Sequence, residues 1–358
     1  GSTTQSEVEQ GLHGYVYRPP PPLVIAMADN AKSENGQRQM RALYTIYAVI
    51  VLQSFAQSGT QAILAIYFQN YVGESESRAT AFVNIFMALY NLFGPVGAVL
   101  SDYKLGNYVT QVWSAAIWTL GALIMMASTV PGALELGDWI KAVSAFVGLA
   151  FTAVGYGMIN PIQSVFVADQ FGPGQEEAMV RSFGIFYALC NVGNLMGEFG
   201  GPVLREYVSY FSILVSVAGA SLFALALFVA GVVWYRRVPA KKWIPPLPPG
   251  HDPTATVSTP RAVWHSLRSL GHICKVFAPL PVFWALLYLQ SSVGIFQGEQ
   301  MSLTLKGNVR IPPDIMPSLD DILCVVLIPI MEYGVYPLYA RLRGHPLSTL
   351  GRMACGMA

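Results

Sequence analysis

Amide side chains recur inside the apolar stretches of this chain at spacings that place them on one helical face. Gln53, Gln57 and Gln61 follow one another every four residues, and Tyr187, Asn191, Asn194 and Glu198 sit at i, i+4, i+7 and i+11. Each run makes one stripe along a helix. Asn84 and Asn91 are seven apart, as are Gln290 and Gln297, while Asn160, Gln163 and Ser164 flank Pro161 just after Gly155 and Gly157. Neutral donors and acceptors of this kind suit peptide-like amides and other polar organic solutes. The same side chains can also act as hydrogen-bond glue between membrane helices, and for any single residue both readings stand. Two independent stripes, with amides in three further segments, favour a shared polar cavity. The Gly155, Gly157 and Pro161 cluster would loosen or kink its helix and free backbone groups to line that cavity.

Covalent chemistry finds little support. The histidines (His13, His251, His265, His272, His345) all fall in tails or loops, and the sequence has no H-E-x-x-H, G-x-S-x-G or Walker-type phosphate loop. Glu198, Glu299 and Glu332 are the only candidate acids for chemistry within the spans, each alone on its helix. An intramembrane enzyme would need paired acids or a nucleophile with its base, so no enzymatic activity, metal or cofactor is expected. Cys190, Cys274, Cys324 and Cys355 lack metal or redox spacing and read as reduced structural thiols.

The elements that must hold the polar stripes are membrane-spanning helices. Of 358 residues 53% are hydrophobic and only 11% charged, and the mean hydropathy is +0.46. A soluble domain carries about 25% charged residues, too many for this chain to be one. Uncharged runs cover 42–73, 79–101, 105–134, 142–168, 207–235 and 276–298, each longer than the roughly 20 residues that cross a bilayer as a helix. Two more, 182–204 and 322–340, are interrupted by Glu198 and Glu332 alone. The fold class is therefore an all-α polytopic membrane protein with eight complete spans and the start of a ninth near 348. Trp and Tyr near the span ends read as interface anchors. The net charge of +1 leaves no nucleic-acid footprint.

Basic residues orient the spans, because cytoplasmic loops are rich in Lys and Arg. With the N-terminus inside, sixteen of the 21 basic residues fall in cytosolic segments. The basic, Pro-rich stretch that begins RRVPAKKWIPPLPPG reads as a cytosolic linker. The chain thus divides into an N-terminal tail (1–41), a six-helix bundle (42–235), the linker (236–275) and a partial second bundle (276–358). It starts Gly-Ser and stops inside an apolar segment, as a piece of a longer chain would. Six helices, a linker and a second bundle are the layout of major-facilitator transporters, whose halves rock around a midplane site.

Four stretches resemble the proton-coupled oligopeptide transporter family of the major facilitator superfamily: GPVGAVLSDYKLGNYVT (94–110), GYGMINPIQSVFVADQF (155–171), FGIFYALCNVGNL (183–195), and PLPVFWALLYLQSS (279–292) with IPIMEYGVYPLYARLRG (328–344). Their order and spacing cover about 42–358. The resemblance implies twelve helices in a complete member, with the last three or four beyond this chain. It makes Tyr187, Asn191 and Trp284 substrate contacts, Asp102 part of a cytoplasmic gating motif and Asp169 a cytoplasmic loop anchor. The chain also departs from its family. The Glu-x-x-Glu-Arg-Phe of the first helix is matched by Ile50, Gln53, Ser54 and Phe55, and the Tyr-Tyr-Gly and following Arg by Gln57, Ser58, Gly59 and Gln61. The fourth-helix Lys is Asn160, and an acid on the seventh helix is Tyr288.

The expected function is a secondary transporter of small peptides or related polar organic solutes, working by alternating access in the lipid bilayer. Protons as a coupling partner are doubtful, since nearly every ionisable family position is neutral. Gln57, Gln61, Asn84, Asn160 and Gln290 join Tyr187, Asn191 and Trp284 as candidate substrate contacts, and Glu198 joins Asp102 and Asp169 as a gating candidate. The alternatives are a non-transporting homologue that acts as receptor or scaffold, and the intramembrane enzyme. The membrane is the plasma membrane or that of an organelle, with the N-terminus cytoplasmic. Epitope tags at the N-terminus and near 255 are expected to be cytosolic, and a tag near 312 exposed outside. Opposite accessibility of the N-terminus and 255 would contradict a six-helix first bundle.

Overall fold

A computed structural model describes residues 34–130, 138–240, 293–301, 312–315 and 318–344, with isolated positions beyond them. All the regular structure among the described residues is helical. Helix α1 runs Glu34–Ile66 and widens into a π turn at Tyr67–Tyr71. Helix α2 spans Glu76–Leu100 and ends in a second π turn, Ser101–Leu105. Then come α3 (Asn107–Ser128), α4 (Asp138–Asp169), α5 (Glu176–Tyr207) and α6 (Tyr210–Ala230). Farther on lie α7 (Val293–Glu299), a 3-10 turn at Pro313–Ile315, α8 (Ser318–Ile330), a π turn at Met331–Val335 and α9 (Tyr336–Arg343).

Five helical stretches among the described residues are long and apolar enough to cross a membrane: Glu34–Tyr71, Glu76–Leu105, Asn107–Ser128, Trp139–Asp169 and Tyr210–Val233. Helix α5 is just as long but more polar, with Glu176, Glu177 and Arg181 at its start, Glu198 in its body and Arg205 and Glu206 near its end. The span expected over 276–298 is described as a helix only from Val293 onward. Helix α1 starts at Glu34, so its first turns lie inside the stretch read as the 1–41 tail. The tail before residue 34 and the linker after 240 lie outside the described residues.

Helix α1 is the innermost element and packs against α5 and α6, while α4 packs against α3 and α2. Its buried residues fall into three levels. Ala42 to Ile50 join one apolar cluster with Phe166, Phe228 and Tyr235. Ile63 to Phe68 join a second with Phe86, Trp118 and Ile213. Between them lie the buried Gln53, Ser54, Gln57, Ser58 and Thr60. A polar level is therefore held in the middle of the bundle by an apolar layer at each end.

Lipid tails are as apolar as leucine, so helices here gain little from hiding apolar surface and associate through close packing of small residues. The α1–α5 contact works this way. A Cβ on Gly193 would sit 2.6 Å from Ser54 Cβ and from the Val51 carbonyl oxygen, and one on Gly197 would sit 2.5 Å from the Phe55 carbonyl oxygen. Across the gap, Ser58 Oγ donates to the Asn194 carbonyl at 3.0 Å. Helix α4 is continuous through Pro161, and the glycine before it has a packing role: a Cβ on Gly155 would meet the Ser114 carbonyl oxygen at 2.6 Å.

Gly197→Leu should cost about 1–3 kcal/mol through overpacking, read as a fall in the Tm of the purified protein in detergent. Gly184, with open space around its backbone, should accept Ala without loss. Equal effects at the two positions would contradict the close α1–α5 approach.

Candidate functional site

The polar level opens into a cavity of about 150 Å³ lined by Gln57, Ser58 and Gln61 of α1, Met87 and Tyr90 of α2, Tyr156 of α4, and Asn194 and Glu198 of α5. Its walls follow from the glycine contact, which sets the glutamine stripe of α1 beside the α5 stripe. Tyr90 and Tyr156 stack across it with ring centroids 5.4 Å apart and planes at 17°. Trp118 packs edge-on behind Tyr156 at 4.9 Å. Gln57 is only 6% exposed, and its Oε1 accepts no hydrogen bond.

The polar residues singled out by spacing separate into three kinds. Gln57, Gln61, Asn194 and Glu198 line the cavity together. Others are structural glue. Gln163 Nε2 donates to Gln53 Oε1 at 2.6 Å, tying α4 to α1. Asn191 is buried, but its Nδ2 donates to the Tyr187 carbonyl at 2.9 Å within its own helix. Tyr187 is 54% exposed and does not line this cavity. Asn84 and Asn160 are exposed on α2 and α4 and likewise stand apart from the lining. Trp284 and Gln290 lie outside the described residues. Tyr90 and Tyr156 were not singled out by spacing; the signal for Tyr156 was its place between Gly155 and Gly157, which bring its backbone close to α3 and α2.

At one end of the bundle a network of hydrogen bonds joins helix ends and loops. Asn107 Nδ2 donates to Asp169 Oδ2 at 2.5 Å, and Ser101 Oγ donates to Asn107 Oδ1. Gln170 Oε1 accepts the Arg236 backbone N–H at 2.9 Å, and Gln39 Nε2 donates to the Gln170 carbonyl at 3.0 Å. Asp102 is exposed at this same end.

The opposite end is ionic. Arg205 Nε and Nη2 each donate to a carboxylate oxygen of Asp314 at 2.9 Å, forming a bidentate pair. The side chains are 8% and 0% exposed. Glu206 approaches Arg205 Nη1 at 3.1 Å, and the guanidinium lies 5.9 Å from the Tyr210 ring centroid. Burial pushes the Asp314 carboxyl above the ordinary carboxylate range, opposed in part by Arg205. The pair fixes the end of α5 to the 3-10 turn ahead of α8, which itself packs on α5. Sequence reading missed it, because its partners are 109 residues apart. The available signal was Arg205 as the sole basic residue in 182–235.

A family model described as POT family matches residues 108–246 and 255–358, more than half of the chain. Solute carrier family 15 member 2 of Danio rerio is 28% identical over 365 residues, covering 92% of this chain and 50% of that protein. Peptide transporter family 1 of Drosophila melanogaster is 31% identical over 318 residues, covering 81% of this chain and 42% of that protein. The chain thus spans about half the length of these relatives. Among solved structures, an auto-inhibited POT family peptide transporter superposes with a TM-score of 0.70 at 21% identity, over 88% of this chain and 72% of that one. The family match, together with the apolar helices, identifies a multi-pass integral membrane protein.

The two kinds of amide should respond differently to truncation. Gln163→Leu leaves a buried Gln53 carbonyl unsatisfied and should cost about 1–3 kcal/mol, read as a fall in Tm. Gln57→Leu removes an acceptor that bonds to nothing within the protein and should be neutral or stabilising. A loss at Gln57 as large as that at Gln163 would make both residues glue.

Proposed function

The chain belongs to the POT family, and on that premise we propose that it forms a secondary transporter for oligopeptides or related polar organic solutes, working by alternating access. The helices of 42–235 make one bundle and those from 276 onward begin a second, joined by the 236–275 linker. The N-terminal end is cytosolic. The names of the relatives support the solute class, and a lining of amides, hydroxyls and one carboxylate suits it.

The observation that carries this reading is the Arg205–Asp314 pair. It lies seven residues beyond Glu198, roughly 10 Å along α5 at 1.5 Å per residue, and joins the first bundle to the stretch ahead of α8. On this reading the buried ionic contact closes that side of the solute path. Removing Arg205 from such a pair costs about 3–5 kcal/mol, because the buried Asp314 charge is left alone. Rupture of this contact, with closure through Asp102 and the Asp169 network at the inner end, converts one access state into the other. Glu198 lies deeper than the contact and belongs to the solute path.

Proton coupling is weak or absent on this reading. A coupling group must change protonation during the cycle, and in membranes it is normally an acid or a His. Ile50, Gln53, Ser54, Asn160 and Tyr288 offer no such group.

The test is dialanine uptake into vesicles holding the full-length protein with its native cysteines replaced by Ser. Linking Arg205→Cys to Asp314→Cys with a cleavable bifunctional thiol reagent should slow uptake about tenfold or more, an extra barrier of at least ~1.4 kcal/mol. Cleaving the link should restore it. An inward pH gradient should leave the initial rate of the unlinked protein unchanged. Full-rate uptake by the linked protein would overturn alternating access at this contact. Gradient-driven accumulation abolished by Glu198→Gln would place coupling on that acid.

A further inference from the structure

The chain leaves α6 through a basic run that the transporter reading does not use. Trp234 and Tyr235 are followed by Arg236 and Arg237, and the sequence continues to Lys241, Lys242 and Trp243. Four bases therefore fall within seven residues, and no Asp or Glu lies between 207 and 251. The root of this run is fixed on the bundle. Gln170, 5% exposed just past the end of α4, grips the Arg236 backbone at two points. Its Oε1 accepts the N–H at 2.9 Å and its Nε2 donates to the carbonyl at 3.3 Å. The Arg236 side chain donates from Nη1 to the Phe171 carbonyl at 2.5 Å.

The chain then crosses the turn that follows α2. A Cβ on Gly106 would stand 3.2 Å from the Val238 carbonyl oxygen and 3.4 Å from the Ala240 nitrogen. Lys104 lies two residues before Gly106, so the crossing gathers Lys104, Arg236 and Arg237 at one edge of the bundle. All three are exposed. Their charge is not neutralised there. Arg236 meets a carbonyl, and the Arg237 guanidinium lies 5.9 Å from the Tyr108 ring centroid. Among the described residues no carboxylate forms an ion pair with either of them or with Lys104. Two stretches able to cross a membrane end at this edge, Glu76–Leu105 and Tyr210–Val233. The cations therefore stand at the level of the lipid headgroups, with Trp234 beside them as an aromatic anchor.

We propose that Lys104, Arg236 and Arg237 form a binding site for the headgroup of an anionic phospholipid in the adjoining leaflet. Juxtamembrane bases are drawn to such lipids with a gain of about fivefold per residue near the surface. Lys241 and Lys242, next in sequence, add to that attraction. The Gln170 clamp contributes position, since it holds the backbone of the basic run at the bilayer edge. With the linker cytosolic, the leaflet is the inner one, whose surface is negative. The site goes beyond the transporter reading and does not depend on transport.

The experiment weighs the intact full-length protein by mass spectrometry after its release from neutral-detergent micelles. The micelles contain equal amounts of phosphatidylserine and phosphatidylcholine. The wild-type protein should retain phosphatidylserine at least about fivefold over phosphatidylcholine. Arg236→Gln combined with Arg237→Gln leaves the Gln170 clamp on the backbone and should bring the two lipids close to parity at unchanged Tm. Excess inorganic phosphate should displace neither lipid. Equal retention by the wild-type protein would overturn the site, because these cations would then be paired elsewhere in the complete protein. A double variant of normal Tm that keeps the full preference would overturn it too. Displacement of phosphatidylserine by inorganic phosphate would assign the cations to a free anion and would equally overturn the lipid site. If the double variant fails to fold, Arg237→Gln decides alone, as that guanidinium makes no hydrogen bond among the described residues. A fall in preference of about fivefold supports the site, and an unchanged preference overturns it. Neither result bears on solute uptake, so the transporter reading stands or falls separately.

Discussion

The backbone contact between α1 and α5 governs the geometry of everything polar in this bundle. Gly193 and Gly197 face Ser54 and Ser58 with no room for a Cβ, and the Ser58 hydroxyl bonds to the Asn194 carbonyl at 3.0 Å. Two helices so joined cannot slide past one another without breaking both contacts. Their register sets the glutamine stripe of α1 beside the Asn194–Glu198 turn of α5. The apolar clusters at either end of α1 follow from the same register, since its apolar residues then fall against Phe166 and Phe228 on one side and Phe86 and Ile213 on the other. Small residues achieve this because lipid gives helices no other strong reason to associate.

The two ends of the bundle are held by different chemistry. The Asn107–Asp169, Gln170–Arg236 and Gln39–Gln170 contacts are distributed over helix ends and loops, and several end on backbone carbonyls. Such a network can loosen contact by contact. The Arg205–Asp314 contact is a single bidentate unit with both charges out of water. A half-separated pair loses most of its mutual attraction before water can solvate either charge. The ion-paired end is accordingly either made or broken, while the hydrogen-bonded end can yield by degrees.

The apolar helices among the described residues were legible in the sequence because bilayer thickness and charge exclusion leave plain marks on composition. The five apolar helices in the structure correspond to charge-free runs, and α5 was visible as a run broken by Glu198. The cavity was legible in part. Four-residue spacing placed Gln57, Gln61 and Glu198 on stripes, and they do share a lining. Spacing could not tell which amides turn to one another. Gln53 meets Gln163, Asn191 bends back to Tyr187, and Asn84 and Asn160 are exposed, apart from the cavity lining. A stripe fixes the face of a helix, but the rotation of that helix toward its neighbours depends on contacts distant in sequence. The Arg205–Asp314 pair stayed hidden for the same reason, as neither residue carries a local pattern that points to the other.

The wide turns that end α1 and α2 bear on how the chain tolerates change in length. In each, the closing bond spans five residues, from the Val72 N–H to the Tyr67 carbonyl and from the Gly106 N–H to the Ser101 carbonyl. A π turn is an α-helical turn that has taken in one additional residue. Deletion of a single residue there returns the turn to ordinary pitch, and the helix before it keeps its phase. Such turns serve as expansion joints. Insertions and deletions in the adjoining loops are absorbed at Tyr67–Tyr71 and Ser101–Leu105, leaving Gln57, Gln61 and Tyr90 facing the same way.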